Sequence, residues 1–183
     1  MEITATPIPG VFSVATVPIG DARGDFCRVF CDQELSSVLR HRIVRQANIS
    51  STCDRGTVRG LHLQLPPHGE LKLVRCIRGQ VWDVVLDLRA GSPTFLHWYS
   101  ERLSRKHANM LVIPEGCAHG FQVLDDGSEL LYLHTASYEQ SSETGVRFDD
   151  PAIGITWPLP VTDISLRDSL LPLLAYDFRG ISL

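Results

Sequence analysis

The sequence predicts an all-β domain built as a sandwich or barrel. Between residues 43 and 137 the chain alternates short runs of β-branched and aromatic residues with Gly, Pro and Ser, and a turn signal recurs about every ten residues. Residues 81–88, 109–114 and 129–135 are the clearest of these strands. Many short strands at this spacing are typical of sandwiches and barrels.

The N-terminal part combines strand segments with the one early helix. Residues 10–17 have strand composition, and residues 20–26 contain a turn signal that leads into another strand. Residues 32–42 predict an α-helix, because Asp32 can cap it and Glu34 lies in its first turn. Basic residues fall at its end, where the helix dipole favours them.

The C-terminal tail is predicted to be largely irregular. It is rich in proline up to Pro160, and residues 165–174 then predict a short helical or turn-rich segment. No linker, internal repeat or low-complexity tract divides the chain, and 183 residues are enough for one hydrophobic core. We therefore predict a single domain over residues 1–183, with short helices in its N-terminal part and its tail.

Charge and hydropathy limit the possible partners. The net charge of −4 gives the whole molecule no attraction for nucleic acid or anionic membranes, so any phosphate must be held by local Arg and Lys side chains. No apolar run is long enough to span a bilayer, and the first residues lack the features of a signal peptide. We expect a cytoplasmic protein with neither nucleic acid nor membrane as a partner.

The cysteines indicate neither a disulfide framework nor a zinc site, because they are odd in number and contain no Cys-x-x-Cys pair. Cys117 lies close to His119 and could be a nucleophile beside a base, but we expect it to be a small apolar side chain. The cysteines are Cys27, Cys31, Cys53, Cys76 and Cys117.

The most informative stretch covers residues 56–79. It places Arg59, His62 and Lys72 in two apolar strands joined by a Pro-Pro-His-Gly turn. Burying unpaired charge is costly, so three such groups in apolar strands indicate a polar pocket. Each group alone could instead be a solvated edge charge or a hydrogen-bonded core histidine.

A second motif, Pro-x-Gly-x-x-His, ends at His119 and resembles the second signature of the cupin jelly rolls, whose histidine points into the barrel. The first cupin signature is altered, because Gln64 follows His62 where a second histidine is expected and Glu70 comes one position late. A catalytic metal needs about three protein ligands, and the Lys72 ammonium would repel it. We therefore expect no metal. His119 then either takes part in the chemistry or is a buried histidine bonded to backbone.

A series of motifs along nearly the whole chain, in order, resembles one family. The motifs are Arg59-Gly-Leu-His62 with Gln64, residues 72–79, residues 83–89, Gly91-Ser-Pro-Thr-Phe95, residues 113–121, Leu131-Tyr132, residues 149–158 and residues 165–168. They are similar to those of the dTDP-4-dehydrorhamnose 3,5-epimerase family. The resemblance implies cofactor-independent epimerisation of a nucleotide-linked 4-keto-6-deoxyhexose at carbon 3 and at carbon 5, in deoxysugar biosynthesis of the rhamnose type.

The resemblance also implies the catalytic residues. His62 would remove the acidic proton beside the ketone, with Asp168 orienting its ring. Tyr132 would return a proton on the opposite face and so invert the carbon. Lys72 would stabilise the enolate oxygen, and His119 would support the site.

The remaining implied contacts hold the nucleotide sugar, across a homodimer whose N-terminal segment enters the neighbouring site. Two arginines would bind the diphosphate, an aromatic would lie near the nucleoside, two amides would line the nucleotide cleft and a tyrosine would cover the sugar end. These are Arg23 (from the neighbouring subunit) and Arg59, Phe26, Gln46 with Asn48, and Tyr138.

Three departures from the family pattern leave alternatives open. Arg28 stands where many relatives have a glutamate near the nucleobase, and arginine can only donate hydrogen bonds, so a CDP- or GDP-linked sugar is possible. Leu133 and Ser137 replace a lysine and an aromatic beside the site. The alternatives are a 3-mono-epimerase, a 3,4-ketoisomerase and a non-catalytic sugar-nucleotide-binding cupin. A metal-dependent oxygenase is a further alternative, which the incomplete set of metal ligands disfavours.

Overall fold

The computed structural model describes residues 1–183 and confirms the predicted all-β fold. Helix is confined to two four-residue α-helices and one short 3-10 turn. In chain order the elements are β1 (Glu2–Ala5), β2 (Phe12–Ala15), β3 (Ile19–Asp21), β4 (Gly24–Phe26), α1 (Ser36–Leu39), β5 (Gln46–Thr52), β6 (Val58–Gln64), β7 (Lys72–Arg78), β8 (Gln80–Asp87), β9 (Trp98–Ser104), β10 (Asn109–Ile113), β11 (Cys117–Val123), β12 (Ser128–His134), the 3-10 turn Gln140–Ser142, β13 (Glu143–Gly145) and α2 (Leu166–Ser169).

Two antiparallel sheets form the layers of the predicted jelly-roll sandwich. The six-stranded sheet has the order β1-β2-β10-β7-β12-β5, and the five-stranded sheet has the order β13-β6-β11-β8-β9. Strands β3 and β4 form a separate two-stranded hairpin. The strands β6 and β7, which the Pro-Pro-His-Gly turn joins, belong to different sheets. The turn therefore carries the chain from one layer to the other.

The core lies between the sheets and explains why the polar residues of interest face inward. Successive residues of a strand point to opposite faces, so residues two apart share a face. Val74 and Cys76 of β7 lie in the main core cluster, and Lys72 is on the same face of that strand. On β12, Leu130 is a core residue and Tyr132 shares its face. The interior is therefore apolar along part of each strand and polar at one end.

The early helix is much shorter than the sequence predicts. Only Ser36–Leu39 is helical, and its N-cap is Leu35, which makes no side-chain cap bond. The predicted cap, Asp32, accepts a hydrogen bond from the backbone N–H of Gln33 instead. The prediction of a helix over residues 32–42 was wrong because only one turn of apolar residues is available to bury, and the chain then leaves the helix at Arg40 with a φ of 57°.

The tail follows its prediction more closely. Helix α2 begins after Ser165, whose hydroxyl accepts a hydrogen bond from the backbone N–H of Asp168 at 3.0 Å. Such a cap satisfies a donor that the first turn of a helix leaves unpaired. No helix in the structure combines the length and the apolar character needed to cross a membrane.

Asp87, at the end of β8, is a charged group that the fold depends on. Its carboxylate is fully buried and accepts hydrogen bonds from Arg89 (Nε, 2.8 Å), Ser92 (Oγ, 2.5 Å) and Thr94 (Oγ1, 2.7 Å). Burial alone would raise the pKa of Asp87, but these hydrogen bonds outweigh it and lower the pKa from 3.8 to about 2. Because the folded-state pKa is the lower one, the stabilisation is present above pH 4 and is lost as the pH falls towards 2.

We expect Asp87→Asn to lower the free energy of unfolding at pH 7 by about 2 kcal/mol, as the pKa difference implies. Denaturant unfolding of both proteins between pH 7 and pH 2 measures this, and the gap between them should shrink below about pH 4. The exposed Asp54→Asn is the control and should match the parent. A gap that stayed constant down to pH 2 would show that charge is not the cause.

Candidate active site

A cavity of ≈ 440 Å³ opens between the sheets at the polar end of the sandwich. Its wall comes from strands β5, β6, β7, β11 and β12 and from the loops before and around β13 and α2. Most of the residues that the sequence singled out line it together: Gln46, Asn48, Arg59, His62, Lys72, His119, Tyr132, Tyr138 and Asp168. Arg23, Phe26 and Arg28 do not.

His62 and Asp168 form a hydrogen-bonded pair on one wall, although 106 residues separate them. The His62 Nε2 lies 2.8 Å from Asp168 Oδ1, and the backbone N–H of Gly60 donates to Asp168 Oδ2 at 3.0 Å. Burial would raise the pKa of Asp168, but the bonds from His62 and Gly60 lower it. The carboxylate is therefore ionised and can only accept, so Nε2 carries the proton and Nδ1 keeps the lone pair of a base.

A β-bulge lets Arg59 and His62 face the same cavity. Residues three apart on a regular strand point to opposite faces, but the pairing of β6 with β11 shifts register between His119 and Phe121. Gly60 lies within this irregularity at a φ of +118°, and a Cβ there would come within 2.7 Å of the His119 carbonyl oxygen. Glycine is therefore required at position 60 for the local geometry.

Tyr132 reaches the cavity from the other sheet, opposite His62. Its ring packs edge-on to His119, with centroids 5.9 Å apart, and stacks on His134 at the same distance. Burial raises the pKa of Tyr132 well above its usual value, the charge of Asp83 adds to this, and the charge of Arg59 opposes it. Tyr132 therefore stays a protonated phenol at any ordinary pH and can act as a proton donor.

His119 is bonded to a carboxylate and not to the backbone. Its Nε2 lies 2.9 Å from Asp83 Oδ2, and both side chains are buried. Burial raises the pKa of Asp83, while the adjoining His119 works in the opposite direction. In the β6–β11 pairing His119 lies directly opposite His62. The second histidine therefore packs between the base and Tyr132 and supports both walls.

Comparison with known proteins identifies the family of the chain. The family model for dTDP-4-dehydrorhamnose 3,5-epimerase matches residues 5–176. The chain belongs to this family. A relative from Sinorhizobium fredii, a dTDP-4-dehydrorhamnose 3,5-epimerase, is 43% identical over 156 residues, which cover 85% of this chain and 80% of that protein.

Solved structures of family members superpose closely. The dTDP-4-dehydrorhamnose 3,5-epimerase of Bacillus anthracis, solved with TDP and PPi bound, matches with a TM-score of 0.91 at 32% identity, over 94% of this chain and 99% of that one. The enzyme of Legionella pneumophila, solved in complex with dTDP-4-keto-L-rhamnose, gives 0.88 at 34% identity, over 94% and 92%.

The N-terminal hairpin of this epimerase-family chain lies outside its own cavity. Arg23 is 89% exposed at the side chain and pairs with Asp21 at 2.6 Å. Phe26 is 71% exposed, and Arg28 pairs with Glu34 at 2.5 Å, so its guanidinium already has an acidic partner within the chain. None of these three residues lines the cavity of its own chain.

Several cavity residues were missed by sequence reasoning. Glu70, predicted only as a displaced metal ligand, lies 3.2 Å from Lys72 Nζ and 2.8 Å from His134 Nδ1. Glu143 accepts a hydrogen bond from the Tyr138 hydroxyl at 2.7 Å and pairs with Arg167. The alternation of side chains along a strand predicts that His134 faces the cavity, because it lies two residues after Tyr132 and shares its face.

Neither a metal centre nor a reactive thiol accompanies these groups. No three or more His, Cys, Asp or Glu side chains are arranged to hold a metal ion. Cys117 is buried in the main core cluster, and burial raises its pKa to about 12. A thiol with that pKa is protonated at neutral pH and is a poor nucleophile.

Proposed function

We propose that the chain epimerises dTDP-4-keto-6-deoxyglucose at carbons 3 and 5, giving dTDP-4-keto-L-rhamnose without a cofactor. One observation carries this proposal. A histidine–carboxylate pair with a free basic nitrogen and a protonated phenol enter a single cavity from opposite sheets. Inversion of a carbon needs groups on its two faces, whereas simple binding needs neither.

The residues divide the reaction into two proton transfers. His62 Nδ1 takes the proton from the carbon beside the ketone, and the electron pair of that C–H bond moves into an enolate whose charge rests on the former keto oxygen. The Lys72 ammonium stabilises that oxygen. The Tyr132 hydroxyl then gives its proton to the opposite face of the carbon and becomes a phenolate, which solvent reprotonates while His62 releases its proton. The sugar has then changed configuration and nothing else.

Substrate binding is assigned to the outer part of the cavity. Arg59 is exposed, and its guanidinium suits phosphate oxygens. Gln46 and Asn48 lie on the edge strand β5, and the Gln46 Oε1 accepts a hydrogen bond from the backbone N–H of Tyr138 at 3.1 Å. We assign the nucleotide to these amides and the sugar end to Tyr138. A dTDP-linked sugar fits the relatives, and the CDP- and GDP-linked alternatives are not favoured.

The hairpin is assigned to the neighbouring site of a cytoplasmic homodimer. Val17, Ile19 and Phe26 are 88%, 74% and 71% exposed, an apolar surface that a second subunit would cover. Arg23 would then reach the partner's diphosphate and Phe26 its nucleoside. The single substitution Arg23→Ala should raise KM about tenfold, because the loss of a hydrogen bond to a charged group usually weakens binding by about that factor.

Mixed dimers test this assignment. When His62→Ala and Arg23→Ala chains are co-expressed, each heterodimer should contain one site with both defects and one intact site. At substrate concentrations far below KM, random pairing then gives about one quarter of the parental activity, because half of the dimers have one working site out of two and the Arg23→Ala homodimers add little. A mixture no more active than its separate components would place Arg23 in its own chain's site.

The proposed reaction is tested by incubating the protein with dTDP-4-keto-6-deoxyglucose and following the sugar by proton NMR. We expect the ring couplings to change to those of the L-rhamno configuration. Couplings that change only at carbon 3 would show that the protein is a mono-epimerase. The departures from the family pattern at Leu133 and Ser137 would then be the first candidates for the cause. An unchanged spectrum would refute the proposal for this substrate.

A further inference from the structure

Glu70 forms a buried charge network in the wall of the cavity. Its two carboxylate oxygens have different partners, Lys72 Nζ at 3.2 Å for Oε1 and His134 Nδ1 at 2.8 Å for Oε2. The side chains of Glu70 and Lys72 are each 8% exposed. The reaction scheme above uses Lys72 but gives no role to Glu70 or His134.

The backbone fixes this network in place. His134 on β12 is the cross-strand partner of Lys72 on β7. Just before β7, the Leu71 N–H donates to Thr135 Oγ1 at 3.0 Å, and the Thr135 N–H donates back to the Leu71 carbonyl at 3.0 Å. These reciprocal bonds hold Glu70 beside His134. The carboxylate therefore follows a backbone segment that is hydrogen-bonded on both sides to the end of β12.

A buried lysine needs such a partner. Its ammonium is a compact charge on a stem of four methylene groups, so burial without a counter-ion is costly and its position is poorly defined. Burial would raise the pKa of Glu70, but the bond from His134 and the charge of Lys72 outweigh it and lower the pKa. Asp83, paired with His119, is the other acidic group whose charge interacts with Lys72. Glu70 is the one that contacts the ammonium directly.

We propose that Glu70 is a positioning residue, held by His134, which fixes the Lys72 ammonium where the enolate oxygen forms. This inference rests on the proposed epimerase function. Stabilisation of a developing charge depends on groups that are already in place, and a small displacement of a catalytic group is costly. Glu70 therefore acts through Lys72 and does not touch the substrate itself.

Kinetics of Glu70→Ala and Glu70→Gln test the proposal. We expect Glu70→Ala to lower kcat about tenfold or more with KM within about twofold of the parent, and Glu70→Gln to lose less because its amide oxygen still accepts a hydrogen bond. The matched control is Glu115→Gln, a partly buried carboxylate paired with Arg42 outside the cavity, which should leave kcat unchanged. A parental kcat in both Glu70 variants would overturn the proposal.

A double-mutant cycle with Lys72→Met separates positioning from an independent role. If Glu70 acts through Lys72, then Glu70→Ala should change kcat by less than about twofold in the Lys72→Met background. The full loss persisting in that background would overturn the assignment. Melting temperatures of all variants identify any that fail to fold, and Glu70→Gln then replaces Glu70→Ala in the cycle.

A spectroscopic measurement makes the test independent of turnover. Lys72 and Lys106 are the only lysines, so lysine labelled with ¹⁵N gives two side-chain ammonium signals. Glu70→Gln and His134→Ala should both shift the Lys72 signal and leave that of the exposed Lys106 in place. An unmoved Lys72 signal overturns the positioning role even if the parent is active. An inactive parent with a shifted signal refutes the proposed reaction but not the network.

Discussion

Replacing His62 with alanine is expected to lower kcat by about 10³-fold or more, the largest effect of any substitution in this chain. Three cavity histidines are hydrogen-bonded to carboxylates, and His62 is the most exposed of them: its side chain is 29% exposed, against 5% for His119 and 14% for His134. Without it the reaction loses the base to which we assign the carbon-bound proton. KM should change little, because we assign nucleotide binding to Arg59 and the amides of β5 and not to His62.

Steady-state kinetics and solvent-deuterium exchange on the purified variant measure this loss. The control is His107→Ala, an exposed histidine in the turn between β9 and β10, which should retain the parental rate. Substantial exchange in His62→Ala would move the role of the base elsewhere. His119 would be the first candidate, because it lies opposite His62 in the strand pairing.

Tyr132→Phe is expected to separate proton removal from inversion. The His62–Asp168 pair is intact in this variant, so the base still removes the proton and can return a solvent deuteron to the same face. The opposite face has lost its donor, so inversion should fall by about 100-fold or more while exchange persists. The ring itself still packs against His119 and His134, so the fold should be preserved.

Comparing deuterium incorporation with product formation in one sample measures the two steps separately. Tyr176→Phe, on a fully exposed ring, is the control and should match the parent in both. Equal losses of exchange and inversion in Tyr132→Phe would contradict a donor role confined to the second step. Full inversion would show that another donor serves that face.

Much of the fold follows from local patterns in the sequence. The strands from β5 to β12 were predicted because their composition and turn spacing agree along the chain. Inward-facing residues follow from alternation, since Lys72 shares a strand face with Val74 and Cys76. The early helix was mispredicted because a capping residue and terminal charges favour the ends of a helix but do not show how many of its residues can be buried. One buried apolar turn decided its length.

The site depends on contacts that no local pattern contains. Asp168 reaches His62 only because α2 packs against β6, and without the family resemblance it would be an ordinary residue of a short helix. The Glu70–His134 contact joins the turn before β7 to the end of β12. For Arg23 and Phe26 we propose a matching surface on a second subunit. Sequence therefore indicated the chemistry of the site, and tertiary packing assembled it.

We propose that one cavity removes and returns protons on two faces of a keto sugar. The most direct test is to incubate the protein with dTDP-4-keto-6-deoxyglucose in heavy water and to read the sugar by mass and proton spectra. We predict one deuterium at carbon 3, one at carbon 5 and the L-rhamno configuration in the product. Intact protein that incorporates no deuterium at either carbon would contradict the account, and the cavity would then be a binding site for the nucleotide sugar.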